Sequence, residues 1–203
     1  VLVPFETPGV QNLRAMEIFN IDDAPHGHMH MRFTDVRVPK ENMILGEGRG
    51  FEVAQGRLGP GRIHHCMRSI GLAEAALKLM TKRSLEREAF GRPLAKLGGN
   101  VDIIAQARID IEMTRLLCLK AAWLMDNVGT DAAQPYISMI KVAAPSMALK
   151  IIDEAMQMYG GLGLSQDTPL AIWYGAQRTL RFADGPDAVH RMVIGRREFK
   201  QYM

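Results

Sequence analysis

Apolar positions recur at helical spacing through most of this chain, and they nearly alternate only in its first forty-odd residues. Cys66, Ile70, Ala73, Leu77 and Met80 stand four, three, four and three apart, which puts them on one helix face. Ile104, Ala107, Ile111, Cys118, Ala121, Met125 and Val128 carry the same period through a second long segment, which Gly129 should stop. Ile137, Ile140, Met147, Ile151, Ala155 and Met158 form a third stripe closed by Gly160, with Pro145 expected to bend that helix. A shorter helix is predicted around Leu170–Gln177. A last one is predicted from Pro186, with Val189, Met192 and Val193 turned inward. Ahead of these, Val1–Pro4 and His28–Pro39 read as short strands. In the second, Met29, Met31, Phe33, Val36 and Val38 almost alternate, with a slip at Thr34–Asp35 that suits a bulge. The glycine-rich stretch from Gly46 to Arg62 separates the two patterns. The expected organisation is therefore a strand-bearing segment, 1–49, followed by an antiparallel bundle of long helices, 50–203.

Composition changes this picture little. The chain has 203 residues, 47% hydrophobic and 23% charged, with a net charge of +3, which is ordinary for a soluble globular protein. Lys and Arg are scattered and balanced by acids rather than gathered into a patch, which argues against a nucleic-acid partner. No apolar run approaches 18 residues, so no membrane span is predicted. Cys66 and Cys118 both sit in apolar helical patterns and read as buried thiols of a reducing compartment. The opening VLVPFETPGV lacks Met and is already strand-like, so the chain reads as a piece whose true N-terminus lies elsewhere.

Three local patterns compete for a chemical reading. His26, His28 and His30 would share one face of a strand, but no carboxylate or thiol cluster stands near them at ligand spacing, so metal is not expected. The pair His64–His65 is a weaker ligand candidate still. Gly160-Gly161-Leu162-Gly163 follows a helix, whereas a dinucleotide loop follows a strand, so that reading fails. Phe182-Ala183-Asp184-Gly185-Pro186-Asp187 joins two helices. By itself it reads as a helix start, with Asp184 or Gly185 as cap and Pro186 in the first turn. None of these patterns alone names a reaction.

Three motifs taken together do more. Arg87-Glu88-Ala89-Phe90-Gly91, Gln157-Met158-Tyr159-Gly160-Gly161-Leu162-Gly163 and Ala183-Asp184-Gly185-Pro186, the last followed by Arg191 and the 196–198 stretch, occur in the order and separation seen in acyl-CoA dehydrogenases. From Gly46 onward the sequence resembles that family. The resemblance implies the end of a middle β-domain followed by a C-terminal four-helix bundle. It also implies FAD as cofactor, an acyl-CoA substrate, an electron-transferring flavoprotein or similar acceptor, and a homodimer or homotetramer.

Residue by residue, the resemblance implies that Asp184 is the base taking the substrate's α-proton. Gly59, Pro60, Gly61, Arg62 and Gly185 should meet the acyl-CoA, with Arg62 steadying the catalytic carboxylate. Arg87, Phe90, Gln157 and Gly161 should reach the pyrophosphate–adenine side of FAD across a subunit boundary. Pro186, Asp187 and Ala188 should approach the flavin through their backbones. Most members carry Glu where this chain has Asp184, and Pro186 and Ala188 replace the usual Thr and Gln. Asp is one methylene shorter, and a misplaced base costs on the order of a hundredfold in rate. The ADGPD version resembles a subgroup associated with longer acyl chains. Two other readings stay open: a nitroalkane-oxidase-like enzyme, which also uses Asp as base, and a non-catalytic bundle serving oligomer assembly.

Overall fold

The computed structural model describes residues 1–203. They divide into two compact units, Val1–Arg57 and Leu58–Met203. The first unit holds a three-stranded antiparallel sheet in the order β2-β1-β3, made of β1 (Val10–Ile18), β2 (Ile21–Asp22) and β3 (His28–Phe33). Sequence patterning misplaces part of this sheet. Val1–Pro4 forms no strand; Leu2 instead exchanges hydrogen bonds with Asn42, through its main-chain N–H and carbonyl. The strand β1 escapes a periodicity search because VQNLRAMEI carries almost no buried position to mark a face. The slip at Thr34–Asp35 is not a bulge: β3 ends at Phe33, and Asp35 turns the chain at φ 49°. The irregularity lies in β1 instead, where pairing with β3 shifts between Asn12 and Arg14.

Helix α1 runs from Gly50 to Glu86, straight through Gly59-Pro60-Gly61, so the glycine-rich stretch is largely helix rather than linker. A tight hairpin, β4 (Glu88–Ala89) and β5 (Arg92–Pro93), follows. Then come α2 (Asn100–Asn127) and α3 (Thr130–Tyr159), separated by Val128 and Gly129 alone. Side-chain pairs fix the directions within the second unit. Arg108 meets Glu74 and the Cys118 thiol meets the Ile63 carbonyl, so α2 runs antiparallel to α1; Lys150 meets Asp110, so α3 reverses again. The short α4 (Gly161–Leu164), α5 (Leu170–Thr179) and α6 (Asp187–Phe199) then wrap α3.

The three predicted stripes become the core. Ile70, Met80, Ile111, Ile140, Ile151 and Ala155 are sealed from solvent, with Cys66 and Cys118 buried as free thiols among them. Burial pushes the Cys66 thiol far above its usual range, so it packs as a small apolar group. The helix α3 continues through both Pro135 and Pro145. The last helix departs from expectation in two ways. Pro186 is its N-cap, extended at ψ 156°, rather than its first helical residue. Val189 and Met192 face outward, each 44% exposed, while Asp187 and His190 point in. The inward face of α6 is polar because it closes over a polar cluster.

Candidate functional site

That cluster gathers around the turn between α5 and α6. Asp184 adopts φ 57° and Gly185 φ 107°, two consecutive left-handed residues. An Asp in that region is mildly strained, and the surroundings must hold it there. Gly185 has no alternative, since a Cβ there would lie 2.9 Å from His190 Nε2. No side chain caps α6, so the turn's Asp is free of the capping role its sequence suggests. The N–H groups of Phe182, Ala183 and Asp187 close the turn internally.

Four basic groups hold this turn from three helices. Arg62 of α1 donates through Nε to the Asp184 carbonyl at 2.9 Å. Lys141, wholly buried in α3, donates to the carbonyls of Leu180 and Gly185. His190 of α6 sets Nε2 3.3 Å from the Asp184 carbonyl and Nδ1 3.3 Å from Ser138 Oγ. His65 of α1 places Nε2 2.9 Å from Asp184 Oδ2. That last contact is close but not aligned as a hydrogen bond, so Oδ2 is buried without a well-directed donor. The Asp184 side chain keeps 17% exposure, and what remains lies away from Oδ2. Asp187 is anchored separately, accepting from Arg181 Nε at 2.7 Å.

Burial dominates the electrostatics here. It lowers His65 below the usual imidazole range, against the opposing pull of the Asp184 charge. It lowers His190 likewise, against the Asp184 carbonyl. The Lys141 ammonium is also pulled down by burial. Both imidazoles are therefore neutral near pH 7, and the turn presents one carboxylate in a half-dry setting.

The residues expected from sequence fall into two groups. Arg62, Asp184 and Gly185 converge directly. Gly59 is buried against Met125, Pro60 is exposed, and Gly61 lies one residue before Arg62 on the same helix. Pro186, Asp187 and Ala188 open α6 beside the turn. The second group stands elsewhere: Arg87, Gln157 and Gly161 line a cleft of about 450 Å³ together with Arg83, Asn100, Glu154 and Gly160. Arg83 and Arg87 donate into it while Glu154 accepts, and Arg83, its guanidinium over the Tyr159 ring, buries Nε without a hydrogen-bond partner. Phe90 stands apart at the hairpin tip, 95% exposed, in a turn where it and Gly91 have φ 50° and 75°.

Sequence reasoning weighed His65 only as a weak ligand candidate and missed its place beside Asp184, and it missed Lys141 and His190 altogether. One signal was available for Lys141, a lysine on the buried side of a helix between Ile140 and Ala144. His65 had none, because its role comes from a turn more than a hundred positions away, and His190 was hidden because Val189 and Met192 suggested an apolar inward face for α6. Of the histidine trio, His28 and His30 lie on β3 while His26 sits in the turn before it, so the three do not share one strand face; His28 Nδ1 lies 3.2 Å from Asp23 Oδ2.

Comparison with known proteins bears on this geometry. Residues 48–199 match the family model described as acyl-CoA dehydrogenase, C-terminal domain. Acyl-CoA dehydrogenase family member 10 of Mus musculus is 54% identical over 200 residues, covering 98% of this chain and 19% of that protein. Acyl-CoA dehydrogenase family member 11 of Homo sapiens is 53% identical over 201 residues, covering 98% and 26%. The chain thus spans about a fifth to a quarter of the length of these relatives. Among solved structures, a Mycobacterium abscessus protein matches with a TM-score of 0.97 and 54% identity, over 100% of this chain and 50% of that one. Butyryl-CoA dehydrogenase from Megasphaera elsdenii matches with a TM-score of 0.84 and 31% identity, over 97% and 50%.

Proposed function

Because the chain belongs to the acyl-CoA dehydrogenase family, we propose that it supplies the catalytic base and part of the cofactor cradle for FAD-dependent α,β-dehydrogenation of an acyl-CoA. The observation that carries this reading is Asp184. It is a largely buried carboxylate on a left-handed turn, with its carbonyl held by Arg62 and its Oδ2 buried beside His65.

The α C–H of a thioester is a poor acid, so its removal needs a positioned base and a polarised carbonyl. In this reading Asp184 takes the α-proton on its more open oxygen, while its main-chain N–H donates to the thioester carbonyl. Arg62, Lys141 and His190 direct their hydrogen bonds to main-chain carbonyls of the turn, which fixes the position of the base. The half-dry setting strengthens each of these interactions. The chemistry that FAD would supply here is acceptance of the β-hydrogen as hydride, which would leave the trans-2-enoyl-CoA.

The cleft containing Arg83, Arg87, Gln157 and Gly161 fits the phosphate-bearing part of such a cofactor. Its arginines can fork onto phosphate oxygens, and a buried Arg83 Nε awaits an acceptor. Phe90 at the exposed hairpin tip suits a neighbouring subunit's cofactor, which implies a homodimer or homotetramer. Electrons then leave to an electron-transferring flavoprotein or a similar acceptor. The ADGPD turn points to long acyl chains.

The test is anaerobic bleaching of the flavin in the full-length FAD-loaded protein by a series of acyl-CoAs. One chain-length class bleaches it, and Asp184→Asn lowers that rate by roughly a hundredfold or more. Bound FAD that no acyl-CoA bleaches, or an Asn variant that bleaches at the parent rate, overturns the reading.

A further inference from the structure

On the reading of Asp184 as base, we propose that His65 is its positioning residue: the imidazole holds Oδ2, so that the other carboxylate oxygen faces the substrate. The argument starts from proton bookkeeping on the ring. An Arg68 guanidinium nitrogen lies within hydrogen-bond reach of His65 Nδ1. Guanidinium only donates, so Nδ1 carries its lone pair and the ring proton of the neutral imidazole sits on Nε2. Nε2 is the atom that faces Asp184 Oδ2, at 2.9 Å. The chain of contacts therefore runs Arg68 to His65 to Asp184, with every proton assigned.

Local sequence makes this arrangement. Arg62, His65 and Arg68 stand three apart and share one side of α1. Arg62 grips the Asp184 main-chain carbonyl, and His65 reaches the carboxylate of the same residue. Held at its backbone and at its carboxylate, Asp184 has little freedom left to change rotamer. This matters more for Asp than for Glu, because the shorter arm has less reach with which to correct a wrong rotamer. The contact is close without being aligned, and a catalytic hydrogen bond of this kind tightens when substrate binds.

The groups facing this pair are Arg62 and Arg68 from α1, Lys141 from α3 and His190 from α6, with the Asp187 charge beyond them beside Lys141 and His190. Burial keeps His65 neutral near pH 7, the form with one proton to donate. Acidification that protonates the ring sets Nδ1–H against the Arg68 donor and breaks the chain.

The experiment compares His65→Leu and His65→Gln in the full-length FAD-loaded protein, by kcat, KM, pH profile and crystal structure. In the Leu variant kcat falls on the order of a hundredfold, with KM and bound FAD unchanged. The acid limb of kcat/KM moves to higher pH, because the carboxylate has lost a donor that favours its charged form. In the Gln variant the amide N–H replaces Nε2–H, restoring about tenfold of the loss and the parental acid limb. In the crystal, the Asp184 carboxylate leaves its present rotamer in Leu and keeps it in Gln. The proposal is overturned if Leu matches the parent in kcat and acid limb. It is equally overturned if Leu and Gln lose activity alike with the carboxylate unmoved. A parent protein that oxidises no acyl-CoA, combined with a swung carboxylate in Leu, removes the dehydrogenase reading and leaves the positioning role standing.

Discussion

Leu13, Met16, Met29 and Phe33 project from the strands of the first unit and stay exposed, whereas Ile111, Ile140 and Ile152 of the second are sealed. Both units contain enough apolar residues to suggest a core, but only the second closes one upon itself. A three-stranded sheet with both faces open gains little from its own contacts. Long helices with matched stripes bury theirs against each other, and a few charged pairs, such as Glu74 with Arg108 and Arg115, sit at the seam. The difference teaches where the candidate site must reside. A strained turn with two left-handed residues needs rigid support, and only the helical unit offers it from several sides.

The contrast is broken most severely by separating the units. Residues 58–203 alone should unfold cooperatively in urea, whereas residues 1–57 alone should show no cooperative transition, read by circular dichroism. A cooperative transition in the isolated sheet would mean that it closes a core of its own despite its exposed apolar side chains. Within the whole chain, Ile152→Ala should cost about 2–5 kcal/mol, since it empties a sealed position. Met29→Ala on the open sheet should stay within roughly 0.5 kcal/mol in the same denaturation experiment. Equal costs would erase the distinction.

A gentler probe is pH. His65 and His190 titrate below their unfolded value near 6.5, because burial disfavours their charged forms. A depressed folded value means the unfolded chain takes up protons first as pH falls. Their contribution to stability is therefore full above about pH 6.5 and lost progressively below it, through the folded values. Thermal melts should show the helical unit weakening over that range, and a His65→Gln, His190→Gln double variant should flatten the slope. A slope unchanged in the double variant would assign the acid sensitivity to other groups.

Much of the helical unit was legible because burial there follows a simple period. Cys66, Ile70, Ala73, Leu77 and Met80 repeat at helical spacing and all five are buried. The strand β1 was illegible for the converse reason: without a buried face it has no alternation to show. The helix through Gly59-Pro60-Gly61 contradicts local propensity, and tertiary packing of its C-terminal half is what sustains it. Val189 and Met192 misled because an apolar residue on a terminal helix can face a surface that another chain covers as well as its own core.

The sequence by itself determined the helical stripes, their stops at Gly129 and Gly160, and the three motifs that place the chain in its family. These are local or short-period properties, written into neighbouring residues. What surrounds Asp184 was decided only by tertiary structure. Arg62 and its hydrogen-bonded carbonyl are 122 residues apart, and Lys141 reaches its two carbonyls across 39 and 44. No spacing rule encodes such distances, because they follow from how three helices pack. That packing is set by the summed burial of many side chains rather than by any motif.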